Sequence, residues 1–144
     1  MNDEPLFAAI VPSLASIFYW AEATRGAPLV EEEVALITSQ APSMILPERF
    51  RDQLDKARSY ADIDPEASWD QWQYLRSEIV RQGVAAGKAF PLPRSQLATD
   101  LNAIRLMVMG EGLHKPEVID HQIAALSGVA SNVLAVMEDY FAPK

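Results

Sequence analysis

Cysteine is absent from the 144 residues, which excludes disulfides, thiolate metal sites and a thiol nucleophile. A reducing compartment suits such a chain, and cytoplasmic location is the expectation. Cations are scarce as well: 12 Lys and Arg face 20 Asp and Glu, for a net charge of −8. Non-specific nucleic-acid binding needs clustered Lys and Arg to displace counterions from phosphates, so no nucleic-acid partner is expected. Asn-Gly and Asp-Gly hairpin turns are missing, and no segment alternates convincingly between apolar and polar residues. Both absences argue against a β fold. Also missing are a Gly-x-Ser-x-Gly elbow, a Walker loop and a His-Glu-x-x-His helix, the short signatures of common hydrolases, nucleotidases and metalloproteases.

Long apolar runs are few. Pro5 to Ala21 is uncharged, but Asp3 and Glu4 precede it where a signal peptide would carry positive charge. Its 17 residues, interrupted by Pro12, Ser13 and Ser16, fall short of the roughly 20 apolar residues of a spanning helix. A buried core helix is the reading, and no membrane partner is expected.

What is present is helical periodicity and 49% hydrophobic content, enough for one core in a chain of single-domain length. The expectation is an all-α bundle of about six helices over residues 1–144, with the first and last central. Pro5 opens the first, kinked near Pro12 and ended by Gly26. A second runs from near Leu29 to before Pro42, with Glu31, Glu32 and Glu33 at the positive end of its dipole. The tetrapeptide Ser43–Leu46 reads as a buried connector, followed by a helix from Pro47 to Tyr60. Asp64 caps a fourth that stops at Gly83. Residues 83–94, with two glycines and two prolines, form a loop between two helical subassemblies. Ser95 caps a fifth helix, with Leu97, Leu101, Ile104 and Val108 on one face.

The sixth helix spans Pro116 to about Phe141. Ile119, Ile123, Leu126, Ala130, Val133, Met137 and Tyr140 alternate steps of four and three, the seam of a helix packed nearly parallel or antiparallel to a neighbour. Gln122 to Met137 carries no charge. Five other helices are hard pressed to cover two such uncharged segments, which predicts a homodimer through Leu126, Val129, Val133 and Met137, with burial inside one chain as the competing account.

Two segments invite a site. Leu106–His121, LMVMGEGLHKPEVIDH, holds both histidines. Its Gly110-x-Gly112 has Lys115 where a dinucleotide loop needs a third glycine. Glu111 and His114 have the Glu-x-x-His spacing of di-iron bundles, but in a single copy. Glu117 and His121 share a helical face, so Glu111, His114, Glu117 and His121 form a divalent-metal alternative. A turn accounts for the same residues: Gly110 or Gly112 ends one helix, Pro116 opens the next, Glu117 and Asp120 suit its first turn, and His121 pairs with Glu117. In the other segment, Trp69 and Trp72 lie one turn apart on a stripe continued by Leu75 or Arg76 and Ile79. That stripe reads as core, with an apolar ligand wall as the alternative.

Charge divides unevenly. Residues 1–83 hold 14 acids and 7 bases, net −7, and residues 84–144 hold 6 acids and 5 bases, net −1. An acidic front half without a catalytic signature predicts a non-enzymatic interaction protein, an adaptor or neutraliser of a basic partner. The competing expectation is a metal- or small-molecule-binding helical protein, an enzyme included, built on the Glu111–His121 segment.

Overall fold

A computed structural model describes residues 4–84 and 88–142. Six helices pack as a bundle: α1 (Leu14–Arg25), α2 (Glu31–Gln40), α3 (Arg51–Arg58), α4 (Ser68–Arg81), α5 (Pro93–Gly110) and α6 (Pro116–Phe141). Short 3-10 turns, Glu48–Phe50 and Pro65–Ala67, lead into α3 and α4. No helix among the described residues is long and apolar enough to cross a membrane. Residues 85–87 of the expected 83–94 loop, and Asp3 in the N-terminal segment, lie outside the described residues.

The sequence reading is corrected at two places in the first half. Residues before Pro12 form a strand, β1 (Leu6–Ile10), and the expected connector is its partner, β2 (Ser43–Pro47), in an antiparallel ribbon that pairs Leu6 with Pro47 and Ile10 with Ser43. Pro12 has no N–H to give to a preceding carbonyl and its ring crowds the turn before it, so a helix started at Pro5 fails there. Ser13 starts the helix afresh, its Oγ accepting from Ser16 N. Prolines bracket the ladder as acceptors: Val11 N donates to Pro42 O (2.9 Å) and Glu48 N to Pro5 O (2.8 Å). A smaller correction applies to α5, which starts at Pro93 with Leu92 as N-cap, so Ser95 lies inside the first turn. Pro93 takes the position where a missing N–H costs nothing.

In the ribbon, Ala9 and Leu46 are buried with Phe7 and Met44 packed against the core, while Leu6, Ala8 and Ile45 face outward. α1 lies at the centre. Leu14, Ala15, Ile17, Phe18 and Ala21 are fully buried, and the Phe18 ring sits 5.6 Å from that of Trp72 on α4. Gly26, at φ +78°, ends α1 in the left-handed conformation that glycine adopts without Cβ strain. α5 and α6 form an antiparallel hairpin, tied near its ends by Arg94–Glu138 and Arg105–Asp120 ion pairs. Ile119, Ala130, Leu134, Met137 and Phe141 bury one side of α6, whereas its opposite side is open.

One buried cluster joins these layers. Arg58 at the end of α3 donates through Nε and Nη2 to both oxygens of Asp100 on α5 (2.9 and 2.8 Å), and Nη2 also reaches Ile10 O on β1 (2.6 Å). Its Nη1 lies 3.6 Å from Asp62, whose two oxygens accept from Leu14 N and Ala15 N at the start of α1 (2.9 and 3.0 Å). The Arg58 side chain is 3% exposed and that of Asp100 is 0%. A bidentate fork with a backbone carbonyl as third acceptor and a second carboxylate nearby is the geometry that lets such a pair offset desolvation.

Removing one charge leaves the other buried and unpaired. Arg58→Met is therefore expected to lower unfolding free energy by about 3–5 kcal/mol, and Arg58→Met with Asp100→Leu to recover most of the loss, both read from urea midpoints. Ser59 caps α3 at φ +71°. Relief of its left-handed Cβ strain makes Ser59→Gly stabilising by about 1 kcal/mol.

Candidate functional site

Helix endings build the Leu106–His121 corner. α5 stops at Gly110, Gly112 turns the chain at φ +67°, and Pro116 opens α6. Glu111 Oε1 accepts from Arg49 Nε and Nη2 (3.0 and 2.8 Å), and Arg49 also pairs with Glu4. Glu111 and His114 border a cleft of 280 Å³ beside Met44, Leu46 and Phe50. Glu117 and His121 do not line it. Both are exposed on α6, and neither makes a hydrogen bond or ion pair among the described residues, so the expected His121–Glu117 pair does not form. Asp120 is held by Arg105 instead (2.6 Å). No group of three or more His, Asp or Glu among the described residues stands close enough to hold a metal. The four residues of the metal alternative are split between cleft and open helix by the turn itself.

A second cleft, 410 Å³, opens between the last turns of α1, the Gly26–Pro28 turn and the second half of α4. Tyr19, Ala23, Pro28, Ile79, Val80 and Val84 make apolar walls. Trp72 contributes to the lining although fully buried, and Trp69, half-buried one turn earlier, does not. Glu22 and Arg76 supply the charge. The Glu22 carboxylate accepts from Leu29 N (2.9 Å), Trp72 Nε1 (2.8 Å) and Arg76 Nε (2.9 Å), and pairs with Arg76 Nη2. Arg76 Nη1 donates to Gln73 Oε1 (2.6 Å). With its lone pairs used, Glu22 can hold α1, α4 and the intervening turn together but is poorly placed to take a substrate proton. The cleft is shaped to accept an apolar group.

The polar residues beside the Arg58 cluster are directional too. Gln96 Nε2 donates to Asp100 Oδ1 (2.7 Å) and Tyr60 OH to Gln96 Oε1 (2.7 Å), which leaves Ser13 Oγ as donor to Tyr60 OH (2.5 Å). Burial is the main reason that the Tyr60 hydroxyl is pushed well above the usual phenol range. Ser13, Gln96 and Asp100 are fully buried, so the chain of donors ties α1, α5 and the segment after α3 together without reaching solvent.

Of the predicted interface residues, Met137 is buried in the core and Leu126 and Val133 pack against it. Only Val129, 54% exposed, stands clear. The seam read from Ile119 to Met137 is thus spent on the chain's own bundle. Sequence periodicity also passed over Glu22, Arg58, Asp62 and Asp100.

Glu22→Gln weakens the bonds from Arg76 and Trp72 and is expected to cost about 1–2 kcal/mol of stability, allowing for partial exposure, with a shifted Trp emission maximum. His121→Ala is expected to leave the melting temperature unchanged, because nothing described depends on that side chain. No protein-family model, curated protein or solved structure matches this chain, so no relative supplies a role for any residue named above.

Proposed function

We propose that this chain is a non-enzymatic, cytoplasmic interaction protein that engages a basic protein partner and associates with itself as a homodimer. The observation that carries the reading is the distribution of ion pairs. Every arginine is joined to a carboxylate: Arg25 to Glu33, Arg49 to Glu4 and Glu111, Arg51 to Glu48, Arg58 to Asp62 and Asp100, Arg76 to Glu22, Arg81 to Glu78, Arg94 to Glu138 and Arg105 to Asp120. Meanwhile Glu31, Glu32, Asp52, Asp64, Glu66 and Asp70 of the front half have no ion pair among the described residues, against Glu117 and Asp139 of the back half. A surface with its guanidinium groups neutralised and its spare carboxylates clustered in sequence attracts cations and steers a basic partner at low salt. It offers no free arginine to a phosphate.

A second reading has one observation in its favour: the 410 Å³ cleft beside Trp72 is large enough for a small apolar ligand. Ligand-induced thermal stabilisation, lost in an Ile79→Glu variant, tests it, and metal content of protein purified without a histidine tag tests the Glu111–His121 alternative.

For the leading reading, the expected result is a basic protein that copurifies at about 50 mM salt and is released by about 300 mM, within the range over which exposed charges are screened. Reversing Glu31, Glu32, Glu66 and Asp70 to Lys is expected to lower the association rate at least about tenfold. Absence of any salt-sensitive partner overturns this reading.

A further inference from the structure

The outer side of the α5/α6 hairpin differs from the rest of this acidic surface. Between the Arg94–Glu138 and Arg105–Asp120 pairs, the exposed residues of α6 are His121, Gln122, Ala124, Ala125, Gly128, Val129, Asn132, Ala135 and Val136, with no Asp, Glu, Lys or Arg among them. Those of α5 are Ser95, Ala98, Thr99 and Asn102, again none charged. Val129 is 54% exposed, Val136 65% and Tyr140 55%, large values for apolar side chains on a helix with a complete core seam of its own. At the C-terminal end this face meets a 180 Å³ cleft where Val136 and Tyr140 oppose Leu36, Ile37 and Gln40 of α2.

We propose that this face is a two-fold interface between two copies of the chain, with α6 packed antiparallel on α6 of its partner about Val129. The proposal rests on the homodimer reading above and moves the contact to a face other than the one that periodicity selects. Charge favours a second copy as occupant. Two chains of net charge −8 repel wherever their acidic surfaces approach, and an uncharged face avoids that cost, whereas a basic partner gains nothing there.

Symmetry favours it as well. Val118, Gln122, Ala125, Val129, Asn132, Val136 and Tyr140 run at steps of four, three, four, three, four and four, a heptad-like seam. The positions mirror about Val129: 118 with 140, 122 with 136, and 125 with 132 to within one residue. An isologous antiparallel contact needs a surface that reads alike from both ends. Gly128 and Ala125 near the midpoint let the backbones approach closely, and the partner's Val118 falls opposite Tyr140 beside the α2 cleft.

Size is adequate. Val118 to Tyr140 spans about 34 Å at 1.5 Å per residue, and two helices about 10 Å apart make a face about 20 Å wide. The product, about 700 Å² per copy, is comparable to the roughly 800 Å² of a standard interface. The two bracketing ion pairs fall at its rim, where polar groups belong.

The cysteine-free chain makes the test direct. Val129→Cys places two thiols at the axis and is expected to give a disulfide-linked dimer under mild oxidation, while Ala57→Cys, exposed on α3, does not. An equimolar mixture of Gln122→Cys and Val136→Cys chains is expected to cross-link between the two types, and neither type alone. By light scattering the wild type is expected to be dimeric at micromolar concentration. Ala125→Glu and Val129→Glu are expected to be monomeric with unchanged helicity. Salt separates the two contacts, since raising NaCl from 50 to 500 mM should tighten the dimer at least several-fold and weaken the basic partner. A dimer that resists both substitutions and fails to cross-link at 129 overturns this face and leaves self-association standing. Cross-linking of Gln122→Cys with itself overturns the antiparallel arrangement. A monomeric wild type at 100 µM overturns both. If either glutamate variant unfolds, the cross-linking pattern alone decides.

Discussion

The most deeply buried polar link between the front half and the back half is one guanidinium. Arg58 meets Asp100 of α5, a backbone carbonyl of β1 and, through Asp62, the first amides of α1. An apolar contact at the same place would tolerate sliding, because hydrophobic burial is non-directional. A forked donor with fixed angles does not. The desolvation cost of these charges is large, and the geometry offsets it only when β1, α1, α3 and α5 occupy this one arrangement. The cluster therefore specifies register more than it adds stability, and the apolar layer around Phe18 and Trp72 supplies the bulk of the driving force.

Most of the helical architecture is legible in residue order, for identifiable reasons. Gly26 and the Gly110–Pro116 corner mark ends that only special backbone conformations allow, and the fixed steps of Ile119, Ala130 and Met137 declare a buried side. The ribbon is hidden because its evidence is non-local. LFAAI and SMILP become strands only by pairing with one another across the chain, and Pro5 and Pro12 have plausible helical roles when α1 is read alone. The site was less legible. Asp100 shares a helical face with Leu97, Leu101 and Ile104, and Arg58 follows buried Leu54 by four residues. A charge on an apolar stripe is the signal that could have exposed the buried pair, since burial of a charge demands a partner. In the Glu111–His121 segment, ligand-type residues close in sequence stand apart because a turn joins their helices: Glu111 and His114 border a cleft, and Glu117 and His121 lie on open helix.

The electrostatic organisation follows a simple rule. Cations are few, and arginine, the one whose fork suits carboxylates, fastens separate segments of the fold in six cases and pairs three residues along the chain in the other two, Arg51 and Arg81. Glu138 is held below the ordinary carboxylate range chiefly by its bond from Arg94, and Glu48 and Glu78 by their bonds from Arg51 and Arg81. These three contribute stability that is full above the unfolded carboxylate range and is lost as pH falls from that range through their lowered folded-state values. Glu33 is held low too, with burial opposing the bonds from Val30 and Arg25. What remains for the surface is net negative, with Lys56, Lys88 and Lys115 as its exposed unpaired cations among the described residues.

The ribbon also bears on the order in which the molecule forms. Ile10 and Ser43 are neighbours in the ladder although about 30 residues intervene, and closing a loop of that length costs about 3 kcal/mol of chain entropy before any ladder bond returns it. α5 and α6 meet across a corner of a few residues. Local contacts form early and distant ones late. The hairpin is thus the natural nucleus and the ribbon the closing clasp, so the uncharged face exists before the acidic front half is folded around its core. A full-length chain refolding from the denatured state therefore presents its least charged surface before the rest is formed, which makes refolding, more than the finished molecule, the stage at which aggregation has to be avoided.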